Sequence, residues 1–131
     1  MRHDRHQRAT FYFDGGCRPN PGPMHAAVVS RGVAHFRDDL GDGDNNEAEW
    51  LALLFAVDVA KQQRAAEVLL IGDSAMVVAQ ASGRQPCRSP HLHAYLAAYQ
   101  DAVAPFLRVH VRQVPRSRNL AGIALAQRDL P

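Results

Sequence analysis

A chain of 131 residues with 15 Lys and Arg against 13 Asp and Glu, a net charge of +2, suits one domain with its own hydrophobic core. So slight a positive excess argues against loose electrostatic wrapping of a nucleic-acid duplex and leaves room for a shape-selective groove with a few arginine contacts. Cys17 and Cys87 form no ligand cluster, the N-terminus resembles no secretory signal, and the longest apolar run, Trp50 to Val57, is far below the ~20 residues of a membrane span; a soluble, cytoplasmic protein with two free thiols is expected.

Met1 to Arg8 is charged and has no apolar period, so it reads as a flexible tail rather than a metal-binding His3/His6 pair, with one domain over residues 9–131. Ala9 to Asp14 is bulky and β-prone and stops at Gly15-Gly16, which makes it the first strand. The three prolines between Cys17 and Pro23 forbid helix or central strand, and Ala26–Ser30 and Val33–Arg37 read as two antiparallel strands around Arg31-Gly32. Asp38 to Asp44 reads as a loop, and Asn45-Asn46 as the cap of a helix over Glu47 to Gln63 that is apolar on most faces and therefore buried. Val68 to Ile71 is an all-aliphatic run ending at Gly72-Asp73, as a central parallel strand does, and a short helix follows from Ser74 to Ser82. Ser89-Pro90 starts another helix reaching about Val103, Arg108 to Val114 is the last strand, and Asn119 caps a C-terminal helix. Three strands, a helix, a strand, helices, a strand and a helix make an α/β domain with a mixed sheet flanked by helices.

Three carboxylates stand where this order concentrates chemistry. Asp14 ends the first strand, Asp73 ends the aliphatic strand, and Glu49 lies in the first turns of the buried helix. If the two strands are parallel neighbours, both aspartates emerge side by side at their carboxyl ends. Carboxylates so close repel unless a cation neutralises them, which points to a hard divalent metal and to phosphodiester hydrolysis. Glu47 rivals Glu49: the two lie roughly 200° apart around a helix, so only one can face the sheet, and periodicity does not choose. Trp50, in the most apolar helix, is read as core rather than a base-stacking platform.

Phe13-Asp14-Gly15-Gly16-Cys17 with Asn20-Pro21-Gly22-Pro23, then Asn45-Asn46-Glu47-Ala48-Glu49, then Gly72-Asp73-Ser74, then Val114-Pro115-Arg116 with Asn119 and Leu125-Ala126, stand in order along nearly the whole chain. In these the chain resembles ribonuclease H of the type I family. The resemblance implies a ribonuclease H-like fold with a five-stranded mixed sheet and a metal-dependent endonuclease that hydrolyses the RNA strand of RNA/DNA hybrids. It implies two Mg²⁺ or Mn²⁺ ions, one held by Asp14, Glu49 and Asp73, the other shared by Asp14. It places Gly15, Gly16 and Cys17 (by backbone), Asn20 and Asn46 in the groove that reads ribose 2′-hydroxyls. Arg116, before the last helix, is a candidate phosphate contact. The segment after Ser82 is short and proline-broken, like the branch without the extra basic handle, and no N-terminal hybrid-binding domain is expected.

Three positions depart from the family pattern. Its fourth aspartate, four residues after the asparagine of the last helix, is Ile123 here, and no carboxylate stands between Ser117 and Arg128. Asp129 is about 9 Å further along such a helix and cannot simply substitute. Gln113 replaces a histidine and cannot carry a proton at neutral pH. Asp44 replaces a threonine that contacts DNA phosphate, and would repel phosphate unless an arginine such as Arg18 or Arg31 screens it. Two readings follow: a nuclease attenuated at its water-activating side, or a catalytically inactive module that keeps the groove for binding nucleic acid or protein. The sequence does not set the oligomeric state; a monomer is the working expectation.

Overall fold

The computed structural model describes residues 8–128; Asp129, most of the N-terminal tail and the His3/His6 pair lie outside them. The elements are β1 (Arg8–Cys17), β2 (Gly22–Ser30), β3 (Val33–Arg37), β4 (Asp42–Gly43), α1 (Asn45–Gln62), β5 (Glu67–Gly72), α2 (Ala75–Ala81), α3 (Pro90–Val103), β6 (Arg108–Gln113), a 3₁₀ turn (Arg116–Arg118) and α4 (Leu120–Arg128). Five strands run in the order β3-β2-β1-β5-β6, with the two-residue β4 paired to β2. β1 is antiparallel to β2 and parallel to β5, and β5 is parallel to β6. This is the mixed sheet expected, and it makes β1 and β5 the parallel central neighbours.

Alternation along β1 explains the two layers. Phe11 and Phe13 point to one face and are fully buried with Trp50, Leu53, Val57, Leu70 and Leu92, under α1, α2 and α3. Tyr12 points to the other face, where Ala27, Val29 and Ala121 are covered by α4. Trp50 is wholly inside the core, in edge contact with Tyr99. The far end of α4 is tied down by Arg128, which donates to both Asp38 oxygens and lies 4.3 Å over the Phe36 ring, while His25 Nδ1 reaches Asp38 at 2.9 Å. That clamp keeps the start of α4 against the carboxyl ends of the central strands.

Local boundaries moved where tertiary pairing outweighed turn chemistry. β1 continues through Gly15-Gly16 to Cys17, because β2 supplies partners as far as Cys17 opposite Met24. The expected Asp38–Asp44 loop contains β4, held by Gly22 opposite Gly43. The cap of α1 is Asp44, not Asn45-Asn46: its side chain accepts the Glu47 N–H at 2.8 Å and Glu47 Oε1 accepts the Asp44 N–H at 3.2 Å, a full capping box. The Arg31-Gly32 turn is a tight hairpin with φ of 54° and 76°, as two left-handed residues between twisted strands require.

Candidate metal centre and groove

The site is built from three directions. β1 and β5 run parallel with Tyr12 opposite Ile71, so two residues later Asp14 and Asp73 leave the sheet together. α1 presses its first turns onto β1 at Gly15, where a Cβ would overlap the Ala48 carbonyl; only glycine admits the helix so close. That approach brings Glu49, 9% exposed, to accept the Gly15 N–H at 3.1 Å. One oxygen from each of Asp14, Glu49 and Asp73 lies within 4.8 Å of the others. Glu49 therefore faces the sheet, and Glu47 is spent on the cap of α1 and on accepting the Tyr95 hydroxyl at 3.1 Å.

Crowding three acids in a partly buried corner makes the ionisation of Asp14 and Glu49 costly. Burial, then the negative charge of Asp73, pushes Asp14 up to about 7, against the pull of Arg116. Burial, then Asp14 and Asp73, pushes Glu49 up to about 9, opposed by the Gly15 N–H and Arg116. A divalent cation removes both penalties at once, and three oxygen donors are the chemistry such an ion takes. The residues thus fit a hard metal ion.

The third direction is α4. Asn119, fully buried, donates from Nδ2 to Phe13 O at 3.0 Å and to Asp73 Oδ2 at 2.8 Å, while its Oδ1 accepts the Ala121 N–H at 3.1 Å. Gly122 turns its bare Cα toward the pair: a Cβ there would stand 3.4 Å from Asp14 Oδ2 and 3.8 Å from Asp73 Oδ2. Ile123, next along, is 39% exposed. Among its residues 120–128 α4 carries no carboxylate. Gln113 extends toward the same corner, its Nε2 at 3.5 Å from Asp73 O.

The groove residues divide into two kinds. Gly15 and Cys17 are buried and give their N–H groups inward, to Glu49 and to Asn45 Oδ1 at 3.2 Å, so neither N–H is left for an arriving substrate. Asn20, Asn46 and Arg116 are exposed, and Asn20 Oδ1 accepts the Asn45 N–H at 3.2 Å, joining the β1–β2 turn to α1. Sequence reasoning missed Asn45 and the inward role of Asn119; a row of three cap-competent residues, Asp44-Asn45-Asn46, hid which one capped. The Cys17 thiol, 8% exposed, sits between the Asn20 and Asn45 side chains, which leaves no room for a nucleophile's role. Asp44 has His91 Nε2 at 3.4 Å, whereas Arg31 stands at the opposite end of β2 and cannot screen it. A cleft lined by Ser82, Tyr99, Val103, Val109 and Val111 lies elsewhere and holds none of the three carboxylates. No helix among the described residues is long and apolar enough to cross a membrane.

A mixed sheet with β1 and β5 central, carboxylates at their adjacent ends and a third acid from the packed helix defines the class of ribonuclease H-like folds. The particular family is settled by comparison. Residues 13–129 match the family described as reverse transcriptase-like. The chain is 33% identical over 132 residues to ribonuclease HI of Halobacterium salinarum, covering 97% of this chain and 66% of that protein. It is 36% identical over 119 residues to the bifunctional protein Rv2228c of Mycobacterium tuberculosis, of which it spans about a third (33%) while 86% of this chain is matched. The solved structure of RNase H1 from Halobacterium salinarum superposes with a TM-score of 0.84 at 29% identity, over 90% of this chain and 93% of that one. The chain belongs to the type I ribonuclease H family.

Proposed function

We propose that this protein is a divalent-metal-dependent endonuclease that cuts the RNA strand of RNA/DNA hybrids, slowed by the missing carboxylate at position 123. The observation that carries this reading is the Asp14, Glu49 and Asp73 cluster, whose oxygens converge within 4.8 Å while burial and mutual repulsion push Asp14 and Glu49 far above ordinary carboxylates. Asp14, Glu49 and Asp73 hold Mg²⁺ or Mn²⁺. A bound ion of this kind supplies charge stabilisation to phosphoryl oxygens and a more acidic water.

The remaining residues position substrate. Gly16 presents a strand surface without a side chain, so a sugar-phosphate backbone can approach the carboxylates, while Gly15 is buried beneath α1. Exposed Asn20 and Asn46 carry both donors and acceptors, suited to ribose 2′-hydroxyls. Arg116, whose charge reaches Asp14 and Glu49, balances an arriving phosphate. A second cation would have Asp14 as its protein ligand, since residues 120–128 of α4 carry no carboxylate. The two thiols, free in the structure, suit a reducing cytoplasm.

A cleavage assay on a labelled RNA/DNA hybrid with Mg²⁺ and then Mn²⁺ tests the proposal. Metal-dependent cutting is expected, and Asp73→Asn, which also excludes a contaminating nuclease, is expected to lose roughly a hundredfold or more. Ile123 favours a second reading, an inactive hybrid-binding module. Tight hybrid binding with no cutting by the native protein in either metal would establish it instead.

A further inference from the structure

We propose that Asn119 is a positioning residue that fixes the Asp73 carboxylate for metal binding, an inference that rests on the proposed metal site of Asp14, Glu49 and Asp73. As the cap of α4, Asn119 needs only its Oδ1, which accepts the Ala121 N–H at 3.1 Å; serine, threonine or aspartate would serve equally. Yet the side chain is fully buried, and both hydrogens of Nδ2 are committed, to Phe13 O at 3.0 Å and Asp73 Oδ2 at 2.8 Å. No other capping side chain offers one acceptor and two donors. The demand for asparagine therefore comes from Phe13 and Asp73, not from the helix.

The two donations join the two strand ends that carry the aspartates. Phe13 precedes Asp14 on β1, and Asp73 follows β5, so one amide measures the spacing between the strand ends that carry the aspartates. Crowding by the Asp14 carboxylate and by Glu49 favours a half-exposed Asp73 turning out toward water. Asn119 opposes that rotation by holding Oδ2 and leaves the other oxygen to the cation. Gly122, one turn on, keeps the space beside Asp14 Oδ2 clear. α4 thus contributes to the site without supplying a ligand.

Asn119→Ser tests this, because it keeps an acceptor for the cap and removes both donations. Ser30→Ala is the control: it deletes a buried side-chain contact with Gln63 at the far end of the sheet. Mn²⁺ affinity and the electron paramagnetic resonance line shape of bound Mn²⁺ are measured on each protein, folded as judged by circular dichroism. Asn119→Ser is expected to bind Mn²⁺ at least about tenfold more weakly with a changed line shape, while Ser30→Ala loses some thermal stability and binds as the native protein does. Native-like binding by folded Asn119→Ser overturns the inference and leaves the metal site standing. Absence of binding by the native protein overturns the metal site and this inference with it. If Asn119→Ser does not fold, the side-chain amide signal of Asn119 in the native protein decides: a shift on Mg²⁺ addition supports the role, and an unmoved signal overturns it.

Discussion

Asp44, Glu47 and His91 bring ligand atoms as close together, within 4.8 Å, as Asp14, Glu49 and Asp73 do, yet the two groups stand in opposite electrostatic states. In the first, each acid already has polar partners: the Glu47 N–H and the His91 ring for Asp44, the Asp44 N–H and the Tyr95 hydroxyl for Glu47. The positive end of α1 adds to this, so a capping box at a helix start explains the group completely. In the second, the acids face one another in a buried corner, with the Gly15 N–H, Asn119 and Arg116 as partial compensation. Convergence of acidic groups does not by itself mark a metal site. Convergence in a buried corner with only partial compensation is the arrangement that fits a cation.

The largest expected gain comes from adding the ligand that α4 lacks. Ile123→Asp should raise hybrid cleavage by at least roughly tenfold, about 1.4 kcal/mol off the barrier, because the acid joins Asp14 from the first turn of a helix whose N-terminal end favours negative charge. Ile123 is 39% exposed, so little core packing is lost and the melting temperature should move only slightly. A folded variant with unchanged Mg²⁺-dependent cutting would place the defect at Asp44 or Gln113.

A second expectation separates the groups by pH. Asp14 and Glu49 have folded values near 7 and 9, above the 3.8 and 4.5 of the free side chains, so between those limits the folded state holds more protons than the unfolded one. Stability without metal must then fall as pH rises from about 5 to 9, and saturating Mn²⁺ should flatten the slope. Thermal melts across that range, with and without metal, check the sign. A metal-free protein that gains stability toward pH 9 would show that these carboxylates are not under strain.

The smallest effect belongs to the capping group. Asp44→Ala should cost about 1 kcal/mol through loss of the cap and leave Mn²⁺ affinity at the Asp14 site unchanged. Chemical denaturation and a metal titration on the same sample read both numbers. A large drop in Mn²⁺ affinity would mean that the two groups are coupled.

Much of this arrangement was legible in the residues. The aliphatic run of β5 and the strand-end positions of Asp14 and Asp73 follow from strand periodicity, while their parallel pairing entered only as a condition, which the β1–β5 register meets. The choice of Glu49 over Glu47 did not follow from periodicity, because α1 is apolar nearly all round; resemblance to the family made it, and the Gly15 contact explains it. Capping at Asp44, the extension of β1 through two glycines and the double donation of Asn119 were not legible. The last two are decided by partners distant in sequence, β2 for the glycines, and Phe13 and Asp73 for Asn119, 106 and 46 residues away, whereas the cap was hidden by three adjacent residues able to fill it.

Proton release on metal binding tests the central claim most directly. At pH 7 a Glu49 held near 9 is protonated and an Asp14 held near 7 is about half so, and both must ionise to hold a divalent cation. Titration of Mn²⁺ into weakly buffered protein at pH 7 should therefore release between about one and two protons per ion bound, and Asp73→Asn should greatly reduce the binding that drives it. Mn²⁺ that binds with no proton release, or release that survives intact in Asp73→Asn, would contradict a metal centre built on these three carboxylates.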